Sequence, residues 1–198
     1  GGLLMLVAIG VMVPKVDNPS YWPVFILNAA IMLICLAILV KTTNGVATKY
    51  VYGHGLIGEE VGNTFKTYHF DCRGSTVAIT DASGNITDTF AYDTYGKMIS
   101  RTGTSQIIFG YNGRDGVVTD GNGLIYMRAR YYAPDMRRFI NADIVPGEIS
   151  NAVTLNRFAY ANGNPVSLVD PFGLAPNHGE YDIAGLLAIA QRIYDGEN

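Results

Sequence analysis

An aromatic residue followed by Asp or Asn, with a glycine close behind, recurs along this chain: Phe70-Asp71 with Gly74, Tyr92-Asp93 with Gly96, and Tyr111-Asn112 with Gly113. The aromatics stand 22 and 19 residues apart. A period of roughly 20 residues points to stacked β units that bury a face only against their neighbours. In each unit the aromatic supplies buried area, and the glycine supplies the positive φ that closes a turn. Hairpin patterns lie between the markers. Val77 and Ile79, then Ile86, Phe90 and Tyr92, alternate with polar residues around the turn Asp81-Ala-Ser-Gly-Asn85. A second hairpin is expected from Val117–Thr119, a turn at Asp120–Gly123, and a single strand over Leu124–Tyr132. Residues 41–67 read as a linker feeding the first strands, with His54, between two glycines, as a loop residue. The fold class that follows is mainly β, built of antiparallel hairpins.

The amino-terminal region has a different character. From Val24 to Val40 every residue except Asn28 is apolar and none is charged. As a helix at about 1.5 Å per residue, this run covers roughly 26 Å, close to the roughly 30 Å hydrocarbon core of a bilayer. Tyr21 and Trp22 precede it and Lys41 follows, in the places of interfacial anchors. The pattern predicts a transmembrane helix over about 24–40, and Leu3–Val13 offers a second apolar run for a hairpin of two. Lys41 and Lys49 face only Lys15, so orientation stays undetermined. The chain starts Gly-Gly and stops at Asn198 without a closing signal, which reads as a fragment at both ends.

Charge and cysteine content narrow the function classes. A formal net charge of -3 gives no basic surface for a nucleic acid, which is not expected as a partner. Cys35 lies in the apolar run and Cys72 in a polar segment, so neither a disulfide framework nor a four-ligand zinc site is expected, and no cofactor or metal is. The 198 residues suit one sizeable domain with accessories.

The aspartate-marked repeats, the run GLIYMRARYYAPDMRRFINAD and the terminal NPVSLVDPFGL together resemble the Rhs repeat-associated core of bacterial polymorphic toxins, related to the YD repeats of teneurins. The resemblance covers about residues 48–174, with repeats over 68–110 and the core over 111–174. It implies a β shell that encloses a C-terminal toxin and a core that plugs one end, although three repeat units are too few to enclose anything. It also implies delivery of toxins to neighbouring bacterial cells, hence a secreted, cell-surface or membrane-associated protein. An immunity protein and a secretion apparatus are the implied partners, with the chain's own C-terminal segment as cargo.

In that family the core cuts itself just after an Asp-Pro-x-Gly-Leu motif as an aspartyl peptidase. Asp170, Pro171, Gly173 and Leu174 match it, so the implied scissile bond joins Leu174 to Ala175. The implied second carboxylate is Asp143, after Arg138-Phe139-Ile140, and Arg138 is implied as the residue that orients a carboxylate or polarises the carbonyl. Two close carboxylates sharing one proton suit peptide hydrolysis, since one activates water while the other donates to the carbonyl. The bland alternatives stay open. Asp-Pro followed by Gly is ordinary turn chemistry, and Arg138 is equally suited to stack on Tyr131 or Tyr132. Asp143-Ile-Val-Pro-Gly147 displaces the proline that many relatives carry directly after the aspartate, and Ala133 and Arg137 stand where relatives often have Asp and Gly. Asp135 is the fallback partner.

After Leu174, the residues Ile183, Leu186, Leu187, Ala190, Ile193 and Tyr194 recur at helical spacing, which predicts a short helix over 182–194 opening a variable region at 175–198. The competing reading of the whole is a non-catalytic orphan β-repeat module for surface interaction or without function. A small membrane protein with a repetitive ectodomain is the third.

Overall fold

The computed structural model describes residues 40–144, 147 and 149–174. Seven strands form one antiparallel meander in chain order: β1 Val40–Thr43, β2 Val46–Tyr52, β3 Leu56–Val61, β4 Thr64–Phe70, β5 Thr76–Thr80, β6 Ile86–Tyr92 and β7 Met98–Thr102. Four short strands make a second antiparallel sheet in the order β11-β10-β9-β8: β8 Val118–Thr119, β9 Ile125–Met127, β10 Arg130–Ala133 and β11 Arg138–Phe139. The mainly β, antiparallel expectation holds for the described residues. Residues 41–67 carry the expected first strands, with β2 and β3 inside the range and β1 and β4 at its ends, and Val40 pairs with Lys49 in the edge hairpin. The boundary expected at 40–41 therefore falls inside β1. No helix among the described residues is long and apolar enough to cross a membrane. The helices expected over 24–40 and 182–194 lie outside those residues, apart from Val40.

One turn design closes four of the hairpins. At Asp71, Asp81, Asp93 and Asp120 the glycine three residues on donates its N–H to the aspartate carbonyl at 3.0 Å, and the aspartate N–H donates to the carbonyl four residues on. In the first three, Oδ1 also accepts the N–H groups two and four residues on, at 2.8–2.9 Å. Gly74, Gly84, Gly96 and Gly123 hold φ between 78 and 85°, where a side chain is strained. The aspartate thus satisfies turn amides that would otherwise lack partners, which is why an Asp-x-x-Gly pattern recurs.

The expected single strand over Leu124–Tyr132 is two strands. A tight turn at Arg128-Ala129, with Arg128 at φ 54°, folds β10 back on β9 so that Met127 pairs with Arg130 and Tyr126 with Tyr131. This turn brings Arg128 and Arg130 against the same later segment, residues 171–173.

Two aromatic cores sit under the sheets. Tyr50, Leu56, Tyr68, Ile79 and Phe90 line the larger sheet and are covered by Phe109, whose ring meets Tyr50 edge-on at 4.9 Å. The Thr76 hydroxyl donates to the Phe109 carbonyl at 2.7 Å and fixes the crossing segment. Tyr111, Ile125, Met127, Tyr132, Phe139 and Tyr160 form the second core. Its rings run from Tyr111 to Tyr160 at 6.0 Å and from Tyr160 to Tyr132 at 4.5 Å. Each fully buried aromatic contributes about 1.5–3 kcal/mol of transfer free energy. Tyr111-Asn112 is therefore not a third hairpin turn. Asn112 is fully buried, its amide donates to the Arg73 carbonyl at 2.8 Å, and its Oδ1 accepts the Tyr160 hydroxyl at 2.8 Å.

Candidate functional site

The chain leaves the second core at Asp170-Pro171-Phe172-Gly173-Leu174, and this segment repeats the hairpin turn design. Gly173 N–H donates to the Asp170 carbonyl at 3.2 Å, Leu174 N–H donates to Asp170 Oδ1 at 3.0 Å, and Gly173 has φ 66°. Asp170 is thus a turn aspartate by its backbone. It differs from the others in depth, being only 1% exposed, and the arginine on its other oxygen reaches it from β10, whereas the one at Asp71 is Arg73 of the same turn.

That arginine is Arg130. Its Nη2 lies 3.2 Å from Asp170 Oδ2 and 2.8 Å from Asp143 Oδ2, so one guanidinium nitrogen joins the two aspartates that the sequence pairs. Its Nε donates to the Gly173 carbonyl at 2.5 Å and its Nη1 to the Arg157 carbonyl at 3.0 Å. The guanidinium also lies over the Phe139 ring at 3.6 Å. Burial lowers the Arg130 pKa, while Asp170 and then Asp143 oppose that by favouring the charged form. Arginine nevertheless stays protonated at any ordinary pH.

Asp143 is fixed through its backbone. Its N–H donates to the Arg157 carbonyl at 2.8 Å, and Arg157 Nε returns a hydrogen bond to the Asp143 carbonyl at 2.8 Å. The exit segment is fastened along its length. Pro171 C=O accepts from Arg128 Nη1 at 2.6 Å, Phe172 C=O from Ala129 N–H at 3.2 Å, and Gly173 C=O from Arg130. Phe172 is buried with the Arg128 guanidinium 4.6 Å above its ring.

Of the expected residues, Asp143, Asp170, Pro171, Gly173 and Leu174 come together. Arg138 does not join them. It is exposed, and its guanidinium lies over Phe158 at 5.3 Å, so the stacking role is the one it fills, on a ring other than Tyr131 or Tyr132. Asp135 is exposed and paired with Lys97 at 2.7 Å, which leaves it on the surface rather than as a partner for Asp170. Ala175 lies outside the described residues. Sequence reasoning missed Arg130, Arg128 and Arg157. The signal available was Arg128-Ala-Arg130 inside an otherwise apolar and aromatic stretch, because an arginine taken into a core needs carboxylates or carbonyls to pair with. Among the described residues no cluster of His, Cys, Asp or Glu is placed to hold a metal ion.

No family model matches the chain. It is 32% identical over 135 residues to the tRNA nuclease WapA of Bacillus subtilis (strain 168), a match that takes in 66% of this chain and 6% of that protein. It is 34% identical over 127 residues to toxin subunit YenC1 of Yersinia entomophaga, covering 61% of this chain and 12% of the other. Bacterial toxin proteins thus stand among its relatives. The chain spans only a small fraction of these relatives' length. Among solved structures, the Photorhabdus luminescens Tc holotoxin pore superposes with a TM-score of 0.58 at 20% identity, over 70% of this chain and 7% of that one. At that identity the likeness establishes the shared β fold alone.

Proposed function

We propose that this chain is the Rhs repeat-associated core of a toxin-carrying β shell, and that Asp143 and Asp170 cut the Leu174–Ala175 bond. The observation that carries the reading is the convergence on Arg130. One guanidinium holds both carboxylates and the carbonyl of Gly173, the residue directly before Leu174. The turn and the clamp support this reading because they fix the Gly173 carbonyl and the Leu174 N–H beside the pair, and the reaction proposed is intramolecular and single-turnover.

In the chemistry proposed, one aspartate takes a proton from water as the water oxygen adds to the Leu174 carbonyl carbon. The other donates its proton to the carbonyl oxygen, and collapse of the tetrahedral carbon breaks the C–N bond as the Ala175 nitrogen is protonated. Arg130 orients the pair and holds the preceding carbonyl, the positioning role that the resemblance gave to Arg138. The similarity to WapA and YenC1 supports a secreted or cell-surface toxin-related protein of a bacterium. On this reading the segment after Leu174 is the cargo, and an immunity protein and a secretion apparatus are the partners. Incubating the purified chain is expected to yield a piece with a new amino terminus at Ala175 at a rate independent of protein concentration, and Asp143→Asn is expected to slow it by at least about 10²-fold.

A second reading, a non-catalytic β-repeat module, is favoured by one observation: Asp170 shares with the turn aspartates Asp71, Asp81 and Asp93 the glycine N–H on its carbonyl and the N–H four residues on at Oδ1. It predicts an intact chain after prolonged incubation.

A further inference from the structure

The hairpin joining β10 to β11 closes on Arg137, whose N–H donates to the Pro134 carbonyl at 3.2 Å and whose φ is 56°. Glycine takes that left-handed conformation at least cost, and glycine is what relatives in the resembling family often have at this position. An arginine there serves the turn less well than glycine would, so its side chain is where a function is to be sought. The guanidinium lies over the Tyr95 ring at 5.1 Å and lines a cavity of about 330 Å³. That volume falls within the roughly 300–1,000 Å³ typical of binding pockets.

The walls of this cavity are firmly set. Tyr95 is held at both backbone groups, its N–H donating to Asp93 Oδ1 at 2.9 Å and its carbonyl accepting the Tyr132 hydroxyl at 2.7 Å. Asn164, Pro165 and Val166 form another wall. They follow a turn in which Ala161, Asn162 and Gly163 hold φ of 50, 53 and 76°, closed by the Asn164 N–H on the Ala161 carbonyl at 2.8 Å. Left-handed backbone at non-glycine residues therefore stands behind two of the walls, and such strain clusters at ligand clamps and other functional sites. Pro165 is buried and Val166 is 71% exposed, which makes this wall apolar and open to solvent.

Charge selects the ligand. Arg73, Arg101, Arg114, Arg128, Arg130 and Arg157 each donate to a carboxylate or a carbonyl. Among the described residues Arg137, like Arg138, has an aromatic ring alone, and of the two it is Arg137 that lines the cavity. A guanidinium stacked on a ring keeps the N–H fork along its edge, and that fork matches a carboxylate bidentately. The neighbouring charges are already matched. Lys97 pairs with Asp135 at 2.7 Å, and Asp93 Oδ1 accepts the Tyr95 and Lys97 N–H groups at 2.9 Å, which limits its repulsion of an incoming anion. Thr94 and Asn164 line the same space with side chains able to donate.

We propose that this cavity binds a peptide carboxylate, with the carboxylate on the Arg137 fork and the adjoining apolar group against Pro165 and Val166. The site shares no residue with the cluster around Arg130, so it stands whether or not the chain cuts itself.

Titrating the ¹⁵N-labelled full chain with small probes, followed through the amide shifts of Gly96 and Gly163, tests this. N-acetylleucine carries a terminal carboxylate, N-acetylaspartyl amide a side-chain carboxylate and N-acetylleucinamide neither. At least one of the two carboxylates is expected to saturate the shifts at roughly millimolar concentration, and whichever saturates first assigns the source as a chain terminus or an acidic side chain. Arg137→Gln and Arg137→Gly are each expected to weaken that binding at least about fivefold, while Arg138→Gln leaves it unchanged. Arg137→Gly also removes the left-handed strain, so it is expected to melt no lower than wild type, which separates loss of the site from loss of the fold. The proposal is overturned if neither carboxylate saturates, if N-acetylleucinamide binds as well as they do, if Arg137→Gln binds like wild type, or if inorganic phosphate saturates at lower concentration than either carboxylate.

Discussion

At Arg130 one guanidinium meets two aspartates, two carbonyls and an aromatic face, and that density of partners is what lets an arginine lie 6% exposed. Gly173 is as tightly determined. A Cβ there would come 2.6 Å from the Met127 carbonyl oxygen, and φ 66° strains any side chain, so Gly173→Ala is expected to cost about 1–3 kcal/mol and to displace the Leu174 carbonyl. Cleavage in that variant, followed by gel densitometry, is expected to fall by at least about 10²-fold. Glu59 gives a pH signature away from the site. Burial raises its pKa above the ordinary 4.5, against the Tyr68 hydroxyl, which donates to it at 2.9 Å, and the charges of Lys66 and Lys41. The fold therefore favours the protonated form. Its contribution to stability is complete below about pH 4.5 and is lost as pH rises through the raised folded value. Glu59→Gln is expected to melt at a higher temperature than wild type at pH 7 and at nearly the same temperature below pH 4.5, and calorimetry at the two pH values checks this. The sequence pointed to Asp143, Asp170 and Gly173 because they sit in a motif. It pointed past Arg130 because a buried arginine has no local pattern, and the motif's own Arg138-Phe139 offered a nearer candidate. In that pair it is Phe139, under the guanidinium of Arg130, that touches the cluster.

The Asp-x-x-Gly turn is the element that sequence and structure share most fully. Alternation and turn chemistry located β5 and β6 and the turn between them, since side-chain period and positive φ are local properties. What stayed hidden was set by distant contacts. The split of Leu124–Tyr132 into β9 and β10 depends on Arg128 and Arg130 reaching residues 171–173, and burial of Asn112 depends on Tyr160. The crossing segment between the sheets carries little pattern of its own, yet Phe109 covers the larger sheet. Phe109→Ala is expected to cost about 3–5 kcal/mol, measured by urea denaturation, because the cavity it leaves is ringed by Tyr50, Tyr52 and strand backbone that cannot collapse freely.

On the scale of the whole molecule, the two sheets are tied by Thr76 to Phe109, by Asn112 to Arg73 and by Tyr132, whose hydroxyl donates to the Tyr95 carbonyl at 2.7 Å. The described residues are therefore expected to unfold in one cooperative transition, with Phe109→Ala lowering the fluorescence and far-ultraviolet midpoints together; separate midpoints would mean two independent units. Among the described residues, β1 and β7 are the edge strands of the larger sheet. The central claim is that this architecture exists to hold one bond of its own chain against two aspartates. The intact mass of purified wild-type, Arg138→Ala and Asp170→Asn chains after incubation tests it most directly. A species ending at Leu174 is predicted from the wild type and equally from Arg138→Ala, and none from Asp170→Asn. An uncut wild-type chain, or an Asp170→Asn chain cut as readily as wild type, would contradict the claim.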